Sequence, residues 1–140
     1  MLKNKTSATV IVFLIVFIDL VGFGLVIPLS SFLAKDFGAT GLQIGLLMMI
    51  YSLMQFIFSP IWGSLSDRIG RRPILLMSLL FSGLSYLGYS YSTSLTELYI
   101  WRGLAGVFAA NISTAMAYMA DISETKDRSK SMGLIGAAFG

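Results

Sequence analysis

Gly63-Ser64-Leu65-Ser66-Asp67-Arg68-Ile69-Gly70-Arg71-Arg72-Pro73 separates two long apolar stretches of a 140-residue chain. Glycine supplies the left-handed backbone that ends a helix, so Gly63 is expected to close one helix and Gly70 to permit the next turn. Pro73 suits the first turn of the helix that follows, where its missing N–H costs nothing. The run therefore reads as a tight hairpin between two helices. Arginines alone need only mark a cytoplasmic connection. The fixed spacing of Asp67 from Arg68, Arg71 and Arg72 asks for a further reason.

The flanks show what kind of helices these are. Crossing a hydrocarbon core of about 30 Å takes roughly 20 helical residues. The stretches 42–62 and 74–91 meet that length without a charge. Two more do so with few: 8–30 contains Asp19, and 95–119 contains Glu97 and Arg102. An all-α transmembrane fold of four spans is expected. Composition agrees, because 56% of the residues are hydrophobic and 12% are charged, against about a quarter charged in soluble domains. A fifth apolar stretch, 131–140, would span only about 15 Å. A helix cut at that depth would leave carbonyls unpaired in lipid, so an incomplete gene product is expected.

The first segment is too long for the apolar core of a signal peptide and carries an acid at its middle, so it reads as a retained helix. Lys3, Lys5, Arg68, Arg71, Arg72, Lys126, Arg128 and Lys130 fall on one side of the spans, and only Lys35 falls on the other. That asymmetry puts the N-terminus in the cytoplasm and makes the chain a multi-pass protein of the cell membrane. Neither cysteine nor histidine occurs. Disulfides, thiolate or imidazole metal sites and Ser-His-Asp or Cys-His triads are thereby excluded. The basic charges lie between apolar runs, so no nucleic-acid partner is expected, nor an enzyme, a metal or a cofactor.

The hairpin run resembles the signature loop of the major facilitator superfamily, G-x-x-x-D-R-x-G-R-R/K, at every specified position. Its approach, Gln55 to Gly63 with Pro60, is similar to that of the twelve-helix drug:proton antiporters, the tetracycline exporters among them. Asp19-Leu-Val-Gly-Phe-Gly-Leu-Val-Ile-Pro28, Ala117 to Asp121 with Arg128 and Gly133, and the closing Phe139-Gly140 resemble the same branch. The resemblance implies part of the N-terminal six-helix half of a major facilitator fold, with the C-terminal half as the missing partner. It implies a conformational latch in which Arg71 pairs with Asp121, while Asp67 packs against a helix of that other half. Gly63, Arg68, Gly70 and Arg72 complete the latch loop. Arg102, Gly103, Ala105 and Gly106 resemble the fourth-helix motif tied to proton coupling, with Ala105 where a glutamine is common.

Two charges lie within the spans. Asp19 is about 17 Å from the end where the chain starts, and Arg102 about 20 Å from that same end, near enough for a salt bridge between neighbouring helices. A lone charge at mid-membrane costs about 2.5–3.5 kcal/mol even on the gentlest scale. Arg102 shares a helix face with Ala105, Gly106, Ala109 and Ser113, small residues that let another backbone approach. Asp19 shares its face with Gly22 and Val26. Both charges are thus expected to face protein, as a proton-coupling carboxylate with an arginine that tunes it, or as a structural ion pair. Gly22, Gly24 and Pro28 can bend the first helix or pack closely. Tyr51, Phe56 and Phe58 read as packing or lipid-facing, which leaves Gln55 as the polar lining of a substrate path.

The expected function is proton-coupled efflux of small amphipathic compounds by alternating access. The lipid bilayer, protons and a small-molecule substrate are its partners. Apolar walls with few charges suit lipophilic cargo better than sugars or anions. The alternatives are a metabolite or sugar porter of the same superfamily, a membrane scaffold, or a four-helix small multidrug unit acting as a dimer.

Overall fold

The computed structural model describes residues 2–109, 111–122, 129, 133, 136 and 137, with side chains from residue 9 onward except Asn111. The expected fifth span at 131–140 falls outside the described residues apart from its three single positions, as do Lys126, Arg128, Lys130, Phe139 and Gly140. The described chain is helical: α1 (Leu2–Asp36), α2 (Gly41–Ile69), α3 (Arg71–Ser90), α4 (Leu95–Phe108) and α5 (Asn111–Ile122). Four stretches among the described residues are long and apolar enough to cross a membrane, the fourth formed by α4 and α5 together.

Helices outrun the apolar segments because polar residues beyond the hydrocarbon continue the backbone ladder. α1 passes residue 30 to Asp36, with Pro28 inside it. It stops where Gly38 adopts φ 74°. There the Ala39 N–H bonds to the Ala34 carbonyl and the Gly38 N–H to the Lys35 carbonyl, both at 2.9 Å. These two bonds make the Schellman motif that satisfies a helix's last carbonyls. α2 then starts on a reciprocal cap, the Thr40 N–H donating to Gln43 Oε1 and the Gln43 N–H to Thr40 Oγ1. Ser94 caps α4 by accepting from the Glu97 N–H.

The connection at the opposite end corrects one expectation. Gly63 closes nothing, because α2 runs through it to Ile69 and only Gly70, at φ 102°, has left-handed backbone there. Nearly the whole signature run is therefore helical, hinged on a single residue. Glycine can end a helix, but the backbone of Gly63 has no need to.

A second correction concerns the fourth span, expected as one helix over 95–119. It is interrupted at Ala109, whose ψ of 43° lies far from helical values. Small apolar residues continue across the point, so hydropathy does not mark it.

α4 packs on α2 and α3, and α5 on α3 and α1, which places the fourth span at the centre. The core divides into three layers. Val12, Val16, Leu75, Ala115 and Met119 fill the layer nearest the Gly70 end. Val26, Ala34, Leu47, Tyr89 and Leu98 fill the layer nearest the Gly38 end. Between them lie Tyr51, Ala105 and Ala109, with Phe23 and Tyr86 against them.

Candidate functional site

The middle layer holds both intramembrane charges. Asp19 on α1 is 7% exposed and Arg102 on α4 only 1%. Arg102 reaches this depth because Gly106, one turn on, lets α2 come close: a Cβ at Gly106 would lie 2.4 Å from the Tyr51 carbonyl oxygen. That approach lays the Tyr51 ring against the guanidinium, 4.4 Å from ring centroid to Cζ, with the Phe23 ring 5.6 Å away on α1. The Phe23 and Tyr51 rings also meet each other at 5.2 Å. Tyr86 enters from α3 over Gly22, where a Cβ would stand 2.8 Å from the tyrosine ring. Gly22 therefore serves close packing. The Tyr51 and Tyr86 hydroxyls lie within electrostatic range of both Asp19 and Arg102.

The Arg102 guanidinium thus has aromatic company. Desolvated cation–π contacts contribute about 0.5–2 kcal/mol each, which offsets much of the roughly 2.5–3.5 kcal/mol needed to hold a charge at mid-membrane. The structure brings Asp19 and Arg102 into one layer around shared tyrosines. The Arg102 Nε and Nη1 atoms make no hydrogen bond.

Gln55 lies one turn beyond Tyr51, and its amide Nε2 donates to the Ala109 carbonyl at 3.1 Å. Trp62 Nε1 donates to the Val107 carbonyl at 2.6 Å, and Ser78 Oγ to the Phe108 carbonyl. Three successive carbonyls at the end of α4 are thereby satisfied from α2 and α3. A helix end inside a membrane needs such partners, because its last carbonyls have no intrahelical donor and lipid supplies none. Beside this junction a groove of about 950 Å3 runs between α2 and α5, lined by Gln55, Phe56, Ser59, Ile112, Ser113 and Met116 among others. Its wall is apolar with a few amide and hydroxyl groups. Phe56, at its rim, is 80% exposed.

At the Gly70 end, Arg71 opens α3 and ties three helices together. Its Nη2 lies 2.6 Å from Asp67 Oδ1 on α2, and its Nε donates to Asp121 Oδ2 on α5 at 3.2 Å. Its Nη1 donates to Ser66 Oγ at 2.8 Å, and Ser66 donates onward to the Gly63 carbonyl. Arg68 and Arg72 are exposed, and the structure does not bring them into this network. Gly63 takes part through its carbonyl, and Gly70 through its backbone shape. Among the described residues no group of three His, Cys, Asp or Glu could hold a metal ion.

A profile of the Major Facilitator Superfamily matches residues 12–140. The chain belongs to that superfamily. Relatives within it include the class H tetracycline resistance protein of Pasteurella multocida, 40% identical over 96% of this chain and 34% of its own length. The class B tetracycline resistance protein of Escherichia coli is 39% identical over the same shares. Multidrug resistance protein 2 of Bacillus subtilis strain 168 is 38% identical over 89% of this chain and 31% of its own. The chain spans about a third of the length of these Major Facilitator Superfamily relatives.

Several residues of the site have no local signal in the sequence. Tyr51 looks like any aromatic of an apolar helix, and Tyr86, Trp62, Ser66 and Ser78 likewise. Only Gly22 and Gly106 hint at them, since a small residue in a membrane helix marks a place where something comes close.

Proposed function

We propose that this chain forms the N-terminal part of a proton-coupled exporter of small amphipathic compounds that works by alternating access. The observation that carries the reading is the buried middle layer. A carboxylate and a guanidinium stand inside the membrane span with tyrosines around them, and ionisable groups at that depth mark ion or substrate pathways by default. Its relatives include tetracycline and multidrug resistance proteins, which supports lipophilic cargo and outward transport. An apolar groove with scattered amide and hydroxyl groups suits such cargo.

In this reading Asp19 takes up and releases the coupled proton. Neutralising it removes one charge from the span, worth about 2.5–3.5 kcal/mol, or roughly two decades in a two-state equilibrium. Arg102, held on the Tyr51 ring, fixes the electrostatic setting of that proton. Gln55 holds the α4–α5 junction and presents its amide to the groove. Asp67, Arg71 and Asp121 are the latch at the cytoplasmic end, with the N-terminus on the same side. The arginine asymmetry of the connections supports that orientation. Asp67 is 61% exposed and so remains open to a partner from a second half.

The test is efflux of a fluorescent lipophilic dye by the full-length gene product in energised vesicles. Efflux is expected to need the proton gradient and to be lost in Asp19→Asn. Gradient-driven efflux unchanged by Asp19→Asn would sink the coupling role.

A further inference from the structure

Two cavities adjoin each other along α3, away from the α4–α5 groove. One, of about 530 Å3 at the Gly38 end, is lined by Gly88, Tyr91, Glu97, Ile100 and Trp101. The other, of about 570 Å3, is lined by leucines of α3 from Leu76 to Leu87 and by Gly83. A Cβ at Gly83 would meet nothing within 4 Å, so the middle of this groove is open. Leu87 and Gly88 are consecutive, and the leucine groove therefore leads into the aromatic cavity. From Leu76 to Leu87 it extends about 17 Å along the helix, roughly one leaflet of a hydrocarbon core of about 30 Å.

The aromatic cavity has the chemistry of a cation site. The Trp101 indole lies flat on Gly88, because a Cβ there would fall inside contact distance of indole Cε2, Cδ2 and Cζ2 together. Glu97 stands one turn before Trp101 on the same face of α4. It enters the helix by only about 3 Å, where headgroups meet hydrocarbon. The Thr93 N–H donates to Glu97 Oε2 at 2.7 Å, with the Thr93 hydroxyl farther off at 3.3 Å. A carboxylate has about four acceptor sites, so Glu97 keeps room for a further donor. Among the described residues no Lys or Arg forms an ion pair with it.

We propose that the two cavities together hold one phospholipid with an ammonium headgroup, its amine against Glu97 and the Trp101 ring and an acyl chain along the leucine groove. An ammonium brings three N–H donors to a carboxylate that only accepts. Tryptophan is the best ring for a cation. A headgroup that ends in hydroxyls carries no positive charge for either. Tryptophan and tyrosine are common at membrane interfaces, but such a belt has no use for a carboxylate without a counter-ion. A soluble cation would fill the aromatic cavity and leave the adjoining leucines uncovered, whereas a lipid covers both. The site is separate from Asp19 and does not depend on the coupling role proposed for it.

The test is photocrosslinking of the full-length gene product in lipid nanodiscs, read by peptide mass spectrometry. The probe is a phosphatidylethanolamine with a diazirine in its acyl chain near the glycerol. Label is expected between Leu84 and Trp101, and a phosphatidylglycerol with the same photoreactive chain should label that segment about fivefold less. Glu97→Gln, whose amide oxygen still accepts from Thr93, is expected to lower the phosphatidylethanolamine label about fivefold. Trp101→Leu should lower it about threefold, and Trp101→Phe, which keeps a ring face, by less. Equal labelling by the two headgroups, or labelling indifferent to Glu97→Gln, overturns the proposal. The headgroup comparison uses the unmodified chain, so it decides the matter even where a variant unfolds. Excess free ethanolamine is expected to leave the label in place. Displacement by it makes this a site for a soluble cation and overturns the lipid.

Discussion

Replacing Gly106 by alanine should loosen the bundle more than any other methyl-sized change on α4. A Cβ there would stand 2.4 Å from the Tyr51 carbonyl oxygen and 3.0 Å from both Tyr51 Cα and Met54 Cβ. Ordinary contact begins near 3.4 Å, so α2 and α4 must part by about an ångström. The blocking atom is backbone within a continuous helix, so no rotamer change relieves the clash. Overpacking of this kind costs about 1–3 kcal/mol. Alanine also gains up to about 1 kcal/mol over glycine in helix propensity, which would mask part of the loss. Gly24→Ala controls for that, since a Cβ at Gly24 meets nothing within 4 Å. The difference between the two variants isolates the packing term, expected at about 1–3 kcal/mol or roughly 5–150-fold in the folding equilibrium. Detergent or thermal unfolding followed by far-UV circular dichroism reads it. If Gly106→Ala unfolds together with Gly24→Ala, the close approach of α2 at this point is wrong, and with it the seat of Tyr51 on Arg102.

Gln55→Leu and Trp62→Phe each remove a donor from the carbonyls at the end of α4, and each should cost about 1–3 kcal/mol of stability. Variants as stable as the parent in thermal unfolding would show that the junction does not depend on these side chains. Arg71→Ala releases Asp67, Asp121 and Ser66 at an end where both carboxylates are more than half exposed. The expected loss is about 1 kcal/mol or less per pair, shrinking as salt rises because the screening length falls to about 3 Å at 1 M. A loss that is large and indifferent to salt would contradict an exposed network.

The spans were legible because a membrane imposes one demand everywhere: about twenty apolar residues per crossing, with no backbone group left unpaired. That rule, applied to the chain alone, finds the four stretches and the depth of Asp19 and Arg102. It also places the turn at Gly70, though not the helical state of the residues before it, because glycine's freedom permits a helix end without requiring one. Gly63 stays inside α2 for that reason. The Arg71 network was reachable only through resemblance, since nothing local ties a residue opening α3 to one closing α5.

By itself, then, the sequence determined the helical class, the number of described spans, the superfamily and the two charges that must be sheltered. Each follows from composition, length or a contiguous motif. Only the tertiary structure decided that α2 runs unbroken through the signature run and that the fourth span parts at Ala109. It alone placed the Tyr51 ring on Arg102 and Tyr86 over Gly22. The donors at the Ala109 junction lie 45, 30 and 54 residues from the carbonyls they satisfy. Hydropathy cannot see them, because it is a property of neighbours along the chain. A helix break and a buried charge are stabilised by neighbours in space.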